Sequence, residues 1–98
     1  VTVEVLNGTA TPGLGARARE VFLSYDLDVP GARNADNDGY EYTLVIDRAG
    51  VVETARRVAA IIDCTRVQSR PDEGTDRGVD VTVILGRDFD GRTCTQQP

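Results

Sequence analysis

The first eighteen residues, VTVEVLNGTATPGLGARA, constrain this chain more than any other stretch, because they spell a strand, a turn and the start of a helix. Val1, Val3 and Val5 alternate with Thr2 and Glu4, the two-residue period of a strand with one buried face. Asn7-Gly8 breaks the pattern. Thr11-Pro12 then offers a helix cap followed by proline at the first helical position, where a missing N–H costs nothing, so a helix is predicted from near Pro12. Leu14, Ala18, Val21 and Phe22 recur at helical spacing with Arg17, Arg19 and Glu20 between them. The helix should lay one apolar face on a sheet and end near Tyr25.

The rest of the chain extends this plan. Leu27 to Ala32 reads as a short extended segment, and Pro30 within it suits an edge strand better than a central one. Asn34-Ala35-Asp36-Asn37-Asp38-Gly39 is polar turn chemistry. A strand follows from Tyr40, with Tyr42, Leu44 and Ile46 on one face and Thr43 and Val45 on the other. Val52, Ala55, Val58, Ala59 and Ile62 mark a second amphipathic helix. Thr65 to Ser69 is a short strand, residues 70–78 a flexible acidic loop, and Val79 to Leu85 a last, strongly alternating strand. The order β-α-β-β-α-β-β predicts an α/β (α+β) two-layer sandwich: a ferredoxin-like βαββαβ plan with an extra C-terminal strand and both helices on one face of the sheet. The last strand, Val79 to Gly86, echoes Val1 to Gly8, and both are expected near the sheet centre.

A chain of 98 residues, 40% of them apolar, supports one modest core. Residues 1–90 read as the domain and 91–98 as a polar tail. The net charge of -5 opposes nucleic-acid binding, and the absence of His removes the commonest general base near neutral pH and the commonest zinc ligand. No apolar run reaches the roughly 20 residues of a membrane helix. The sequence reads as a domain of a longer protein, with any anchor or export signal expected upstream of Val1. Two readings of Cys64 and Cys94 compete: unrelated thiols, or a disulfide that pins the tail. The disulfide would imply an oxidising compartment, and by closing a long loop it would stabilise by roughly 3–4 kcal/mol.

Several segments share one family pattern: Leu6-Asn7-Gly8-Thr9, then Pro12-Gly13-Leu14, Arg17-Ala18 and Asn34-Ala35-Asp36, and near the end Gly78 to Phe89. Together they resemble the LytR-type C-terminal domain appended to LytR-CpsA-Psr cell-envelope proteins, from Val1 to about Asp90. The resemblance implies an extracytoplasmic, non-catalytic interaction module of a membrane-anchored bacterial protein. Its partner would be a cell-envelope protein or a wall polymer, and the transferase chemistry would sit in another domain. The cysteines are no part of the family pattern.

The candidate ligand-binding residues are Asn7, Gly8, Thr9, Thr11 and Gly13, in a strand-to-helix turn where free N–H groups and the helix dipole could hold an anionic glycopolymer or wall ligand. The competing reading makes this turn a structural corner. Its glycines have P-loop spacing, but Leu14 and Gly15 stand where Lys and Ser/Thr would grip phosphate. Asn34, Asp36, Asp38 and Gly39 imitate half a calcium loop, yet Val45 stands where the bidentate Glu would be, so a turn is expected and no metal or cofactor. The pairs Asp36/Asp38 and Asp88/Asp90 lie in polar turns, with nothing evident to separate their pKa values for acid–base work, so no catalytic residue is expected.

Overall fold

A computed structural model describes residues 1–71 and 78–94 of the protein. Most of the expected acidic loop, residues 72–77, and the last four residues, 95–98, lie outside the described residues. The elements are β1 (Val3–Asn7), α1 (Leu14–Ser24), β2 (Ala32–Asn34), β3 (Leu44–Asp47), α2 (Val52–Ile61), β4 (Val67–Ser69) and β5 (Val81–Leu85).

The strands form one sheet in the order β2-β1-β5-β3-β4. β1 runs parallel to β2 and β5, β3 runs parallel to β4, and β3 and β5 are antiparallel. Two parallel β-α-β units thus flank β5, and β1 and β3 point in opposite directions. The first unit steps outward from β1 to β2, the second outward from β3 to β4. An in-plane half-turn relates these steps, so two right-handed crossovers deliver both helices to the same face. Leu14, Ala18 and Phe22 of α1 and Ala55, Val58 and Ala59 of α2 accordingly share one core with Val3, Val5, Val45, Val81, Val83 and Leu85.

The echo between the ends of the chain is a register. Val3 pairs with Val81 and each following residue with its counterpart, up to Asn7 with Leu85. Gly8 and Gly86, the next residues, solve the same steric problem. The segment entering β3 crosses the ends of both central strands. The Tyr40 N–H donates to the Gly8 carbonyl at 3.0 Å, and the Arg87 N–H to the Tyr40 carbonyl at 3.1 Å. A Cβ on Gly8 would lie 2.6 Å from the Tyr40 ring, and one on Gly86 only 2.3 Å from the Tyr42 carbonyl carbon. Neither approach admits a side chain.

Element boundaries differ from the sequence reading in several places. β3 begins at Leu44 rather than Tyr40, because the segment from Tyr40 to Thr43 bonds across the ends of β1 and β5 before it joins the sheet, and β4 and β5 begin at Val67 and Val81, two residues later than expected. α1 begins at Leu14 rather than near Pro12, because Gly13 takes a left-handed φ of 79° and caps the helix without a side chain. Thr11 is engaged elsewhere: its N–H donates to Thr9 Oγ1 and its carbonyl accepts from Asn7 Nδ2. The edge strand β2 lies after Pro30, while Asp28 makes only a single bridge to Thr2.

The opposite face of the sheet carries a polar belt. Arg33 on β2 pairs with Glu4 on β1, Thr82 Oγ1 on β5 donates to Glu4 Oε1, and Arg48 Nε donates to Thr82 Oγ1 at 3.1 Å. Thr82 is buried, so this chain of hydrogen bonds satisfies a hydroxyl that would otherwise be stranded between strands.

Cys64, just past α2, is disulfide-bonded to Cys94 with a Cα–Cα distance of 5.2 Å. The Cys94 N–H donates to the Ile62 carbonyl at 2.8 Å, and Phe89 and Cys94 form an antiparallel bridge. Residues 91–94 therefore lie against the body of the domain.

Candidate functional site

Two segments singled out in the sequence for different reasons meet in space. The turn after β1 and the loop after β2 form the walls of a cleft of 620 Å³ lined by Asn7, Thr9, Ala10, Thr11, Pro12, Asn34, Ala35, Asn37 and Asp38. They meet because β1 and β2 are parallel neighbours, with Asn7 paired to Asn34, so both strands release their chains at the same end. In open α/β sheets, ligands are found outside the carboxyl ends of parallel strands.

The first wall is built by Asn7. Its Oδ1 accepts from the Thr9 N–H at 3.0 Å and the Thr9 hydroxyl at 2.7 Å, and its Nδ2 donates to the Thr11 carbonyl at 2.9 Å. Asn7 and Thr9 are buried and Gly8 lies beneath the Tyr40 ring. The N–H groups of Gly8, Thr9 and Thr11 all have intramolecular acceptors, so three of the donors an anion would use are already occupied. Gly13 stands further along, with open space around it.

The second wall is held by Tyr40, whose hydroxyl donates to Asp36 at 2.9 Å, and by Asn37, whose Oδ1 accepts the Gly39 N–H at 2.8 Å. The bond to a carboxylate stabilises the protonated phenol and raises the Tyr40 pKa above its ordinary value. Thr11, Asn34 and Asp38 present side chains that make no hydrogen bond or ion pair with the described residues. Among the described residues, Asp38 is the only charged one in the lining.

The carboxylates weighed as acid–base pairs have separate structural duties. Asp88 is buried, and its Oδ1 accepts from both the N–H and the hydroxyl of Thr43 at 2.8 Å. Asp90 is exposed and organises a turn: the Thr93 and Arg92 N–H groups bond its carboxylate and hold its pKa below the ordinary value. Asp36 serves Tyr40, and Asp38 faces the cleft. Among the described residues no three His, Cys, Asp or Glu side chains gather as a metal cluster, and Asn34 belongs to β2 rather than to a loop.

Sequence reasoning missed Asp47. It ends β3 as Asn7 ends β1, and it is fully buried. Its Oδ1 accepts from the N–H groups of Ala49, Gly50 and Val51 at 2.9, 3.0 and 3.2 Å, and its Oδ2 accepts from the Ser69 hydroxyl at 2.9 Å. Burial by itself would raise the carboxyl, but the Ser69 hydroxyl and the three N–H groups hold it below its ordinary value. The available signal was a polar residue closing a strand just ahead of a helix, in Asp47-Arg48-Ala49-Gly50 as in Asn7-Gly8-Thr9.

The sequence of residues 1–89 matches the family described as LytR cell envelope-related transcriptional attenuator, LytR_C. The chain belongs to the LytR_C family. That match spans both β-α-β units, the central strand β5 and both walls of the cleft. The LytR_C chain is also similar in fold to a solved structure, the soluble domain of a conserved hypothetical secreted protein from Mycobacterium marinum. The TM-score is 0.65 at 23% identity, over 99% of this chain and 64% of that one. This chain therefore spans less than two thirds of that structure. No functionally curated protein matches the sequence. Among the described residues no helix is long and apolar enough to cross a membrane.

Proposed function

We propose that this LytR_C chain is a non-catalytic, extracytoplasmic interaction module that works in cell-envelope or wall-polymer assembly as part of a membrane-anchored protein, and docks there on an envelope protein. One observation carries this reading: a cell-envelope family fold closed by a buried disulfide, Cys64–Cys94, a bond that persists in oxidising compartments. The placement of the acids supports a module without chemistry of its own. Asp88 and Asp90 are engaged as hydrogen-bond acceptors and Asp36 holds Tyr40, so none of them is set as a proton donor beside an open site.

The cleft favours a second reading, direct binding of a wall ligand beside Asn7, Gly8, Thr9, Thr11 and Gly13. Three of these residues, Asn7, Thr9 and Thr11, line it.

Membrane-impermeant labelling of the parent protein in its native cells, combined with thiol trapping, tests the main reading. The expected result is labelling from outside the membrane with no free thiol on this domain. Cytoplasmic protection with two free thiols would overturn it, as would turnover of an envelope substrate by the purified chain.

A further inference from the structure

The geometry points to a neutral, hydroxyl-rich glycan segment as the ligand of the cleft between the β1 turn and the β2–β3 loop. This inference rests on the second reading above and departs from the anionic ligand that the sequence suggested.

Charge is the first reason. An anion needs counter-charge or free N–H donors, and the cleft has little of either. Among the described residues Asp38 is the sole charged residue in the lining and no arginine is part of it, Arg70 acting only on Tyr40 behind the second wall, and the N–H groups of Gly8, Thr9 and Thr11 are occupied. A phosphate or carboxylate entering here would meet a carboxylate of its own sign.

The second reason is hydrogen-bond chemistry. Among the described residues, the lining groups that make no hydrogen bond or ion pair with one another or with the rest are the Thr11 hydroxyl, the Asn34 amide and the Asp38 carboxylate. A hydroxyl donates and accepts, an amide does both through separate atoms, and a carboxylate only accepts. Sugar hydroxyls, each a donor and an acceptor at once, match such a set. Ala10, Pro12 and Ala35 supply small apolar surfaces for the C–H faces of a sugar ring. Among the described residues the lining of this cleft includes no large apolar side chain that would form a pocket for the aromatic or aliphatic anchor that peptide interfaces favour.

The third reason is preorganisation. The Asn7–Thr9–Thr11 network fixes one wall and the Tyr40–Asp36 bond steadies the other, so Asn34 and Asp38 are offered from a frame that binding need not order.

The test uses the whole disulfide-bonded chain with four probes: tetrameric N-acetylglucosamine, a gluco-oligosaccharide, a galacto-oligosaccharide, and inorganic polyphosphate as the anion. Calorimetry measures binding, and amide NMR shifts locate it. The expected outcome is saturable, salt-insensitive binding of at least one neutral oligosaccharide, with shifts confined to residues 7–12 and 34–38. Asp38→Asn and Asn34→Ala should each weaken it about tenfold, the scale of one lost hydrogen bond in a desolvated contact, without changing the melting temperature. Several results would overturn the inference: no saturable binding of any neutral probe at millimolar concentration, binding of polyphosphate in their place, shifts elsewhere, or variants that bind normally. None of these touches the location of the domain, so failure here remains distinct from failure of the envelope reading.

Discussion

Removing the Asp47 carboxylate should cost the domain about 3 kcal/mol at neutral pH. The carboxylate is fully buried and accepts four hydrogen bonds, three from the N–H groups that lead into α2 and one from Ser69 on β4. A typical net hydrogen bond contributes about 1 kcal/mol, and those to charged groups somewhat more. Ala49, Gly50 and Val51 are exposed, so water recovers part of what Asp47→Ala removes. The result is a loss of about 3 kcal/mol rather than 6. Asp47→Asn keeps one acceptor oxygen for the N–H groups but loses the charge and puts an NH2 where Oδ2 accepts from the Ser69 hydroxyl, which can turn to accept instead, so it should lose about 1–2 kcal/mol.

The pH dependence separates this account from simple loss of packing. Asp47 titrates below the ordinary value of 3.8, so its contribution is complete above that pH and disappears as pH falls through its own lower folded-state value. The gap between wild type and Asp47→Asn should therefore be full at pH 7 and shrink toward pH 2. Urea denaturation followed by circular dichroism at pH 7, 4 and 2.5 measures it. An Asp47→Asn protein as stable as wild type at pH 7, or a gap that does not shrink on acidification, would refute the reasoning.

Gly86→Ala should cost about 3 kcal/mol or more, because its Cβ would meet the Tyr42 backbone at 2.3 Å and no rotamer can relieve a backbone contact. Gly31→Ala, with nothing within 4 Å of the added Cβ, should be neutral or slightly stabilising, and thermal melts of the pair compare them directly. Replacing both Cys64 and Cys94 by Ala should lose roughly 3–4 kcal/mol, the chain-entropy value for this loop, and the wild type should lose a similar amount on reduction. Ultraviolet titration should find one tyrosine that ionises above its ordinary range, and Asp36→Asn should bring it back down, since the hydrogen bond to that carboxylate is the main cause of the rise.

The structure also qualifies the use of glycine variants as probes of the β1 turn. A Cβ on Gly8 would collide with the Tyr40 ring and come within 2.7 Å of the Leu85 carbonyl, so replacing Gly8 disturbs the fold before it disturbs any ligand. Gly13 has open space but a φ of 79°, where a side chain is strained. Asn34 and Asp38 make cleaner probes of the cleft.

Local pattern was enough to read the element types, the amphipathic faces and the layered plan. Valine alternation, helical spacing and proline placement act between residues close in sequence, and those forces are the same before and after folding. The family pattern was likewise legible, because Leu6-Asn7-Gly8-Thr9 and Gly78 to Phe89 are contiguous. The pairing of Val1–Gly8 with Val79–Gly86 was visible as an echo, but its meaning was not. Only the sheet shows that the two stretches lie in register and that Gly8 and Gly86 make way for one crossing segment. The strand order, the cleft that joins Asn7 to Asn34 and Asp38, and the buried duties of Asp47 and Asp88 are tertiary facts. Each depends on contacts between residues far apart in the chain, Thr43 with Asp88 or Asp47 with Ser69, which no local periodicity encodes. The fate of the turn after β1 was decided the same way. Its N–H groups looked free in the sequence because their acceptors, the side chains of Asn7 and Thr9 and the carbonyl of Leu85, take up their positions only when the chain folds.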